Sequence, residues 1–133
     1  MTPDAVEVDV RFARTDHYCL KIYGRSMEPR LYEGDTVVVK KMDLYLPPYI
    51  EDERPPAPPG PWKALHSKIV VALVNEDDAY LVKRLRVSSR KDTGFKLWLV
   101  GDNPASEPVE ISKEHSLRLV GRVVQIMSDP DRT

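Results

Sequence analysis

Apolar and polar residues alternate along much of this chain with a period of two, which is the period of a strand rather than of a helix. Val6, Val8 and Val10 alternate with charged neighbours, and this indicates a strand with one buried face. Similar signals predict six more strands, over residues 17–23, 35–40, 68–74, 79–87, 95–101 and 117–127. Only single helical turns are expected, after Ser26 and at 112–115. The pattern therefore predicts a mainly β fold.

The segment 47–61 interrupts this pattern because it holds seven of the twelve prolines. Proline fixes φ and cannot donate a hydrogen bond to a sheet. We therefore expect a polyproline-like surface loop within a single domain that spans residues 1–133, with its core at about 18–127. Three roles fit this loop: a surface insertion, a flap over a cleft, or a ligand for a partner protein.

Composition narrows the class of protein. A chain of 133 residues is long enough to bury one core. Lys and Arg number 20 against 21 Asp and Glu, which disfavours direct binding to nucleic acid because such domains carry a basic surplus. The single cysteine, Cys19, is expected to be a small buried hydrophobe. No apolar run approaches the roughly 20 residues that span a bilayer, and the acidic N-terminus is unlike a signal peptide, so the sequence predicts a cytoplasmic protein.

Lys83 draws attention because of its phase in the strand predicted at 79–87. Leu81, Lys83 and Leu85 share one face with Val87, and this face is expected to point to the core. Burial lowers the pKa of a lysine by up to about 3–5 units, which would make it a neutral base. The alternative is that Lys83 extends its amine to the sheet edge or pairs with a carboxylate. The opposite face, expected to meet solvent, carries Tyr80, Val82, Arg84 and Arg86.

Ser26 follows Gly24-Arg25 and precedes Met27-Glu28-Pro29, just before the strand predicted at 35–40. A serine in this position is a good helix N-cap. It is also a potential nucleophile if a base removes its proton. The free backbone N–H groups of such a turn could hold an oxyanion, so the two interpretations do not exclude each other.

Other residues offer weaker chemistry. Three histidines lie far apart without the spacing of metal ligands, so we predict no metal, no cofactor and no Ser-His-Asp triad: His17, His66 and His115. Asp35 is expected to shape a turn or to accept nearby N–H groups. Trp62 is predicted to anchor a loop and Trp98 to lie in the core.

Several motifs together resemble one known family. Residues 24–29 (Gly-Arg-Ser-Met-Glu-Pro) with 33–39 resemble the nucleophile motif of the LexA/UmuD/phage-repressor family of serine–lysine self-cleaving peptidases. Residues 80–85 are similar to the strand that carries the lysine of that family. Residues 97–104 resemble the following strand and its Asn-Pro turn, and 119–124 resemble the closing strand. The order and approximate spacing match over residues 18–127.

The resemblance implies a LexA-like or signal-peptidase-like β domain with Ser26 as nucleophile and Lys83 as general base. It also implies that the backbone amides of Ser26 and Met27 hold the oxyanion. The expected protein is a homodimer that responds to a RecA-type activator and acts in a transcriptional or SOS-type stress-response switch. Contact with DNA would come only through a helix-turn-helix domain, as in the repressor members of the family.

Two features depart from the family pattern. The chain has no Ala-Gly or Cys-Gly bond, at which family members cleave themselves, and too few residues precede Ser26 for a helix-turn-helix domain. It is therefore expected to be a catalytic fragment of a longer protein, or a stand-alone relative that cuts other proteins. The proline-rich segment also lengthens the interval from Ser26 to Lys83. The alternative function is a non-cleaving dimerisation or sensor module; a membrane-bound leader peptidase would need an anchor helix.

Overall fold

The computed structural model describes residues 16–48, 60–77, 79–89, 94–112 and 114–130. These residues form one antiparallel sheet of seven strands in the order β1-β2-β7-β3-β4-β5-β6. The strands are β1 His17–Lys21, β2 Thr36–Leu46, β3 Ile69–Val74, β4 Leu81–Ser88, β5 Lys96–Val100, β6 Val109–Ile111 and β7 Leu117–Met127, and one short helix, α1, spans Gly60–Ala64. The predicted mainly β class is confirmed.

The strands differ from the sequence prediction mainly at their ends. β2 continues to Leu46, six residues beyond the predicted end, because β7 pairs with it across two register shifts. The three-residue β6 was not predicted, since so short a strand carries no readable alternation. The strand predicted at 6–10 and most of the proline-rich segment lie outside the described residues. In the part of the chain that is described, no helix is long and apolar enough to cross a membrane.

The sheet buries apolar side chains on both of its faces, and β3 lies between the two clusters. Val70 and Ala72 belong to a first core, while Ile69 and Val71 belong to a second. A strand that is covered on both sides reads as a continuous apolar run, which explains the sequence of β3. The first core includes Leu46, Leu85, Phe95, Leu97, Leu99, Ile111, Leu117 and Leu119, and the second includes Leu20, Ile22, Met27, Leu31, Val37 and Val39.

This double burial corrects the prediction that Tyr80, Val82, Arg84 and Arg86 form a solvent face. Val82 is only 7% exposed and lies in the second core, with Tyr80 packed against it. Arg84 is largely covered by an ion pair, and only Arg86 is exposed. Alternation alone could not reveal the second core, because Val82 has the same phase in β4 as the charged residues Arg84 and Arg86.

The burial of the two tryptophans differs from the sequence prediction, which placed Trp98 in the core. Trp62 lies in α1, is 3% exposed and belongs to the first core. Trp98 is half-buried, and it alternates with Leu97 and Leu99, whose side chains are fully buried in that core. Trp98 therefore faces the other side of the sheet, away from the first core.

The expectations for Cys19 and Asp35 are confirmed. Cys19 is 1% exposed, as a small buried hydrophobe would be. Asp35 is also buried, and its carboxylate accepts N–H groups from Tyr32 at 2.9 Å and from Asp129 at 3.0 Å. These bonds satisfy the buried charge and fasten the turn before β2 to the end of β7.

Candidate functional site

Ser26 and Lys83 line the same pocket, although 56 residues separate them in the sequence. The pocket has a volume of about 120 Å³. One wall comes from the segment that precedes β2 and the other from the start of β4. The lining residues are Ile22, Tyr23, Ser26, Met27, Tyr80, Leu81, Val82 and Lys83.

The pocket follows the edge of β4. Four consecutive residues, 80–83, line it, although neighbours in a strand point to opposite faces, so the pocket must run along the strand edge. On one side, β3 pairs with β4 from Leu81 to Arg84. On the other side, β5 pairs with β4 only from Arg84 onwards. Within the described residues, the backbone of 81–83 therefore has one edge without a strand partner, and this edge faces the pocket.

A tight turn presents Ser26. Gly24 has a φ of 80°, a conformation that glycine adopts without strain, and the N–H of Leu31 closes the turn on the Met27 carbonyl at 2.9 Å. The Ser26 side chain is half-buried, whereas Met27 is buried in the second core. Among the described residues, no hydrogen bond is donated by the backbone N–H of Ser26 or of Met27. Because Ser26 and Met27 both line the pocket, these two N–H groups are the candidates for binding an oxyanion.

Lys83 is half-buried, and the loss of water around it lowers the pKa of its amine. No described carboxylate pairs with it, so desolvation acts without an opposing negative charge. Its Nζ donates a long hydrogen bond of 3.4 Å to Ser106 Oγ, and not to Ser26. The structure therefore places Ser26 and Lys83 in one pocket without joining them directly.

The loop 101–106 contacts both Ser26 and Lys83. The sequence predicted only a turn in this segment. Asn103 donates its backbone N–H to the Ser26 carbonyl at 3.0 Å and its side-chain amide to the Arg25 carbonyl at 2.9 Å. Gly101 allows this close approach: a Cβ there would overlap the Ser26 carbonyl oxygen and lie 2.8 Å from Ser106 Oγ. The loop thus holds the main chain of Ser26 and supplies the hydroxyl that Lys83 contacts.

An ion pair fixes this loop to β4. Arg84 donates to both carboxylate oxygens of Asp102, from Nε at 2.8 Å and from Nη2 at 2.7 Å, and to the Ser67 carbonyl at 2.7 Å. The hydrogen bond from Arg84 is the main reason that the pKa of Asp102 lies below its ordinary value. Because Arg84 follows Lys83 directly, the ion pair anchors the loop to the part of β4 that carries the amine.

We expect a double-mutant cycle of Arg84→Ala and Asp102→Ala to give a coupling of about 1–2 kcal/mol in the free energy of unfolding, because the pair is bidentate and largely buried. The exposed pair of Arg118 with Asp43 provides a matched control, with an expected coupling below about 1 kcal/mol. Urea unfolding measures both. Equal couplings would show that burial and the bidentate geometry add nothing.

The same pair predicts a dependence on pH. A carboxyl whose folded pKa is lowered stabilises the fold above its unfolded pKa of about 3.9, and this stabilisation is lost as pH falls through the folded value. As the pH is lowered below about 4, the free energy of unfolding should therefore fall less steeply in Arg84→Ala than in the wild type.

The three histidines each contact a nearby backbone or side-chain group. His66 Nδ1 accepts the N–H of Val87 at 2.9 Å, and His115 Nδ1 accepts the N–H of Ser112 at 3.0 Å. His17 contacts the neighbouring Asp16. In the described ranges, no group of three or more His, Cys, Asp or Glu side chains is arranged to hold a metal ion.

The site therefore combines a hydroxyl, a desolvated amine, a second hydroxyl that contacts this amine, and two backbone amides that have no hydrogen-bond partner among the described residues. Together these are the parts of a serine nucleophile with a lysine base. The sequence predicts Ser26, Lys83 and the two amides as site residues, and the structure adds contacts from Asn103 and Ser106. The available signal was the group of polar residues directly after the apolar strand 95–100. Comparison of the chain with family models and with curated proteins gave no match.

Proposed function

We propose that this chain is a serine–lysine peptidase domain of the LexA-like type. The observation that carries the proposal is the pocket shared by Ser26 and Lys83, in which the amine is desolvated and has no carboxylate partner among the described residues. A lysine in an exposed or ion-paired position would remain protonated at neutral pH and could not act as a base. Here desolvation lowers the pKa of the amine, which is the direction that a lysine base needs.

The reaction follows from these groups. Neutral Lys83 takes the hydroxyl proton as Ser26 Oγ attacks the peptide carbonyl, and the amides of Ser26 and Met27 bind the resulting oxyanion. Lys83 then gives that proton to the leaving amine, and the C–N bond breaks to leave an acyl-enzyme on Ser26. A water molecule, deprotonated by Lys83, attacks the ester, and the proton returns to Ser26 as the acid product leaves.

Ser106 has a positioning role in this scheme. Its hydroxyl accepts the Lys83 amine hydrogen bond at 3.4 Å, which keeps the amine in the pocket rather than in solvent. A shift of the amine toward Ser26 is needed before proton transfer. Hydrogen bonds of this kind often tighten only when substrate is bound.

The unpaired edge of β4 suits an extended peptide. Backbone groups of residues 81–83 could pair with a substrate strand, since β5 does not cover them. The same edge borders the pocket that contains Ser26, so a peptide that pairs there would bring a carbonyl to the nucleophile. The proposed substrate is therefore an extended segment of a protein, either the chain's own upstream linker or a partner.

The wider role is proposed by resemblance. The domain would work in the cytoplasm as a homodimer, respond to a RecA-type activator and release a transcriptional or stress-response switch by cleavage. No metal or cofactor takes part in the proposed chemistry. Contact with DNA would require a helix-turn-helix domain attached to this one.

Digestion of a diverse peptide library tests the catalytic proposal. Wild-type protein and Ser26→Ala are incubated with the library at alkaline pH, and new peptide termini are identified by mass spectrometry. We expect new termini with the wild type alone, clustered around one sequence preference. Digestion that is equal in the two samples, or absent from both with a folded wild type, would exclude peptidase activity at Ser26 toward free peptides.

A second function is favoured by one observation, namely that Lys83 bonds to Ser106 and not to Ser26. The same fold could serve as a dimerisation or sensor module that no longer cuts. A folded wild type that leaves the library intact and that also fails to cut a fused Ala-Gly linker would support this alternative.

A further inference from the structure

A second concave surface lies over β4 and β5, farther along β4 than the Ser26 pocket. We call it the β4–β5 groove; its volume is about 330 Å³. Its lining residues are His66, Arg86, Val87, Ser88, Trp98, Val100 and Pro108. Neither Ser26 nor Lys83 borders it, so the proposed peptidase chemistry leaves it without a role.

Strand register explains how the groove forms. Arg86 pairs with Trp98, and Trp98 pairs in turn with Glu110 on β6, so these three side chains share one face of the sheet. The opposite face of the same strands carries the leucines of the first core. A half-exposed tryptophan with a valine and a proline beside it gives an apolar floor on a surface that usually carries polar residues.

Two polar groups in the groove have no partner among the described residues. Ser88 Oγ is shielded from solvent and makes no hydrogen bond, a situation that is rare because it leaves a hydroxyl both dehydrated and unpaired. The exposed Arg86 forms no ion pair within the described part of the chain, although it lies close enough to Asp102 to lower the pKa of that carboxyl slightly. The exposed guanidinium of Arg86 is thus available beside the apolar floor, while the Ser88 hydroxyl lies unpaired beneath the surface of the groove.

The charge is uneven across the groove, and this selects the ligand. Arg86 places a positive charge on the β4 side, whereas Glu110, paired with Lys96, lies on the β6 side. A polyanion such as nucleic acid would meet both signs and would gain little from a chain of net charge −1. A peptide with one acidic side chain next to aliphatic or prolyl residues matches the guanidinium and the apolar floor together.

We propose that the β4–β5 groove binds an extended acidic–apolar segment of the protein that the Ser26 site cleaves. This proposal rests on the proposed peptidase function. Val82, which lines the Ser26 pocket, and Arg86, which lines the groove, lie four residues apart on one face of β4, a span of roughly 13 Å in a strand. The docked segment would therefore lie within about three to five residues of the scissile bond, and one short stretch of substrate would reach both sites.

Binding can be measured without cleavage, in the Ser26→Ala variant. The probe is an acetylated, amidated peptide, Gly-Ser-Pro-Leu-Asp-Glu-Pro-Leu-Gly, and its matched control replaces Asp and Glu by Asn and Gln. Trp98 reports binding by its fluorescence, since Trp62 is buried and these are the two tryptophans of the chain. We expect saturable binding of the acidic probe at least fivefold tighter than that of the amide control, and no spectral change in Trp98→Phe.

Charge-matched variants make the test specific. Arg86→Gln should weaken the acidic probe at least fivefold, whereas Lys21→Gln, which removes an exposed positive charge on β1, should leave binding unchanged. Circular dichroism confirms that each variant is folded. Equal binding of the two peptides, or equal binding by wild type and Arg86→Gln, would overturn the proposal. Preferential binding of oligothymidine would overturn it in favour of nucleic acid.

Cleavage kinetics separate the groove from the catalytic site. With a substrate that carries the acidic segment near its cleaved bond, Arg86→Gln should raise KM and leave kcat unchanged, because the groove contributes binding and no chemistry. If peptide binds the groove but the wild type cuts nothing, the peptidase proposal fails while the groove stands. If the wild type cuts with no effect of Arg86→Gln on KM or on probe binding, the groove proposal fails alone.

Discussion

Replacing Lys83 by methionine is expected to lower the rate of peptide cleavage by roughly 10²–10⁴-fold, which is the loss expected when a general base is removed. Methionine has a similar length and fills the same apolar space, but it cannot accept the Ser26 proton. Rates measured with a cleavable peptide from the library would show the effect. Lys21→Met, which removes an exposed lysine on β1, is the matched control and should keep the wild-type rate.

The pH dependence of the rate provides an independent signature of Lys83. Because desolvation lowers its pKa, the cleavage rate should rise with pH through a value below the ordinary one of about 10.4 and should then level off. The residual rate of Lys83→Met should lack this rise. If Lys83→Met showed the same rise with pH as the wild type, the titrating base would be a group other than Lys83.

The same substitution should also change stability in a defined direction. The folded pKa of Lys83 is lower than the unfolded one, so the unfolded state binds more protons between the two values and stability rises with pH there. Below this window the buried charge carries its full cost. Lys83→Met should therefore be more stable than the wild type at neutral pH, with the difference shrinking as pH approaches about 10.4. Urea unfolding at several pH values measures this.

Gly101→Ala should reduce cleavage by about 100-fold, because the Ser26 main chain must move away from the loop that holds it. The added Cβ would overlap the Ser26 carbonyl oxygen and crowd Ser106 Oγ, so the hydrogen bond from Asn103 to Ser26 cannot keep its length. Overpacking at a backbone contact should also cost about 1–3 kcal/mol in the free energy of unfolding. Thermal unfolding and peptide cleavage measure the two effects.

Gly60→Ala is the control for this substitution. A Cβ at Gly60 meets nothing within 4 Å, and the residue begins α1. Alanine there should leave cleavage unchanged and should not lower stability, since alanine favours helix over glycine. If Gly101→Ala behaved like Gly60→Ala in both measurements, the close approach of the loop to Ser26 would matter neither for cleavage nor for stability.

The sequence predicted the strands correctly where the alternation of apolar and polar residues alone decided their positions. Alternating residues in β4 and β7 placed both strands, and the predicted bounds of β7 agree with Leu117–Met127. The prediction failed where both faces of one strand are buried. Val82 was assigned to solvent because Arg84 and Arg86 share its phase, yet Val82 is buried in the second core. Alternation gives the face of a side chain but not what covers that face.

For the candidate site, the sequence alone determined the chemical types and their local setting: a hydroxyl on a glycine-containing turn and an amine in phase with buried leucines. Only the tertiary structure brought Ser26 and Lys83 into one pocket and added Ser106 and Asn103 from the loop after β5. It also turned Trp98 outward onto the β4–β5 groove. Local patterns follow from the geometry of one strand or turn, whereas contacts between distant segments depend on strand order, and strand order is fixed by how the whole sheet buries its two faces.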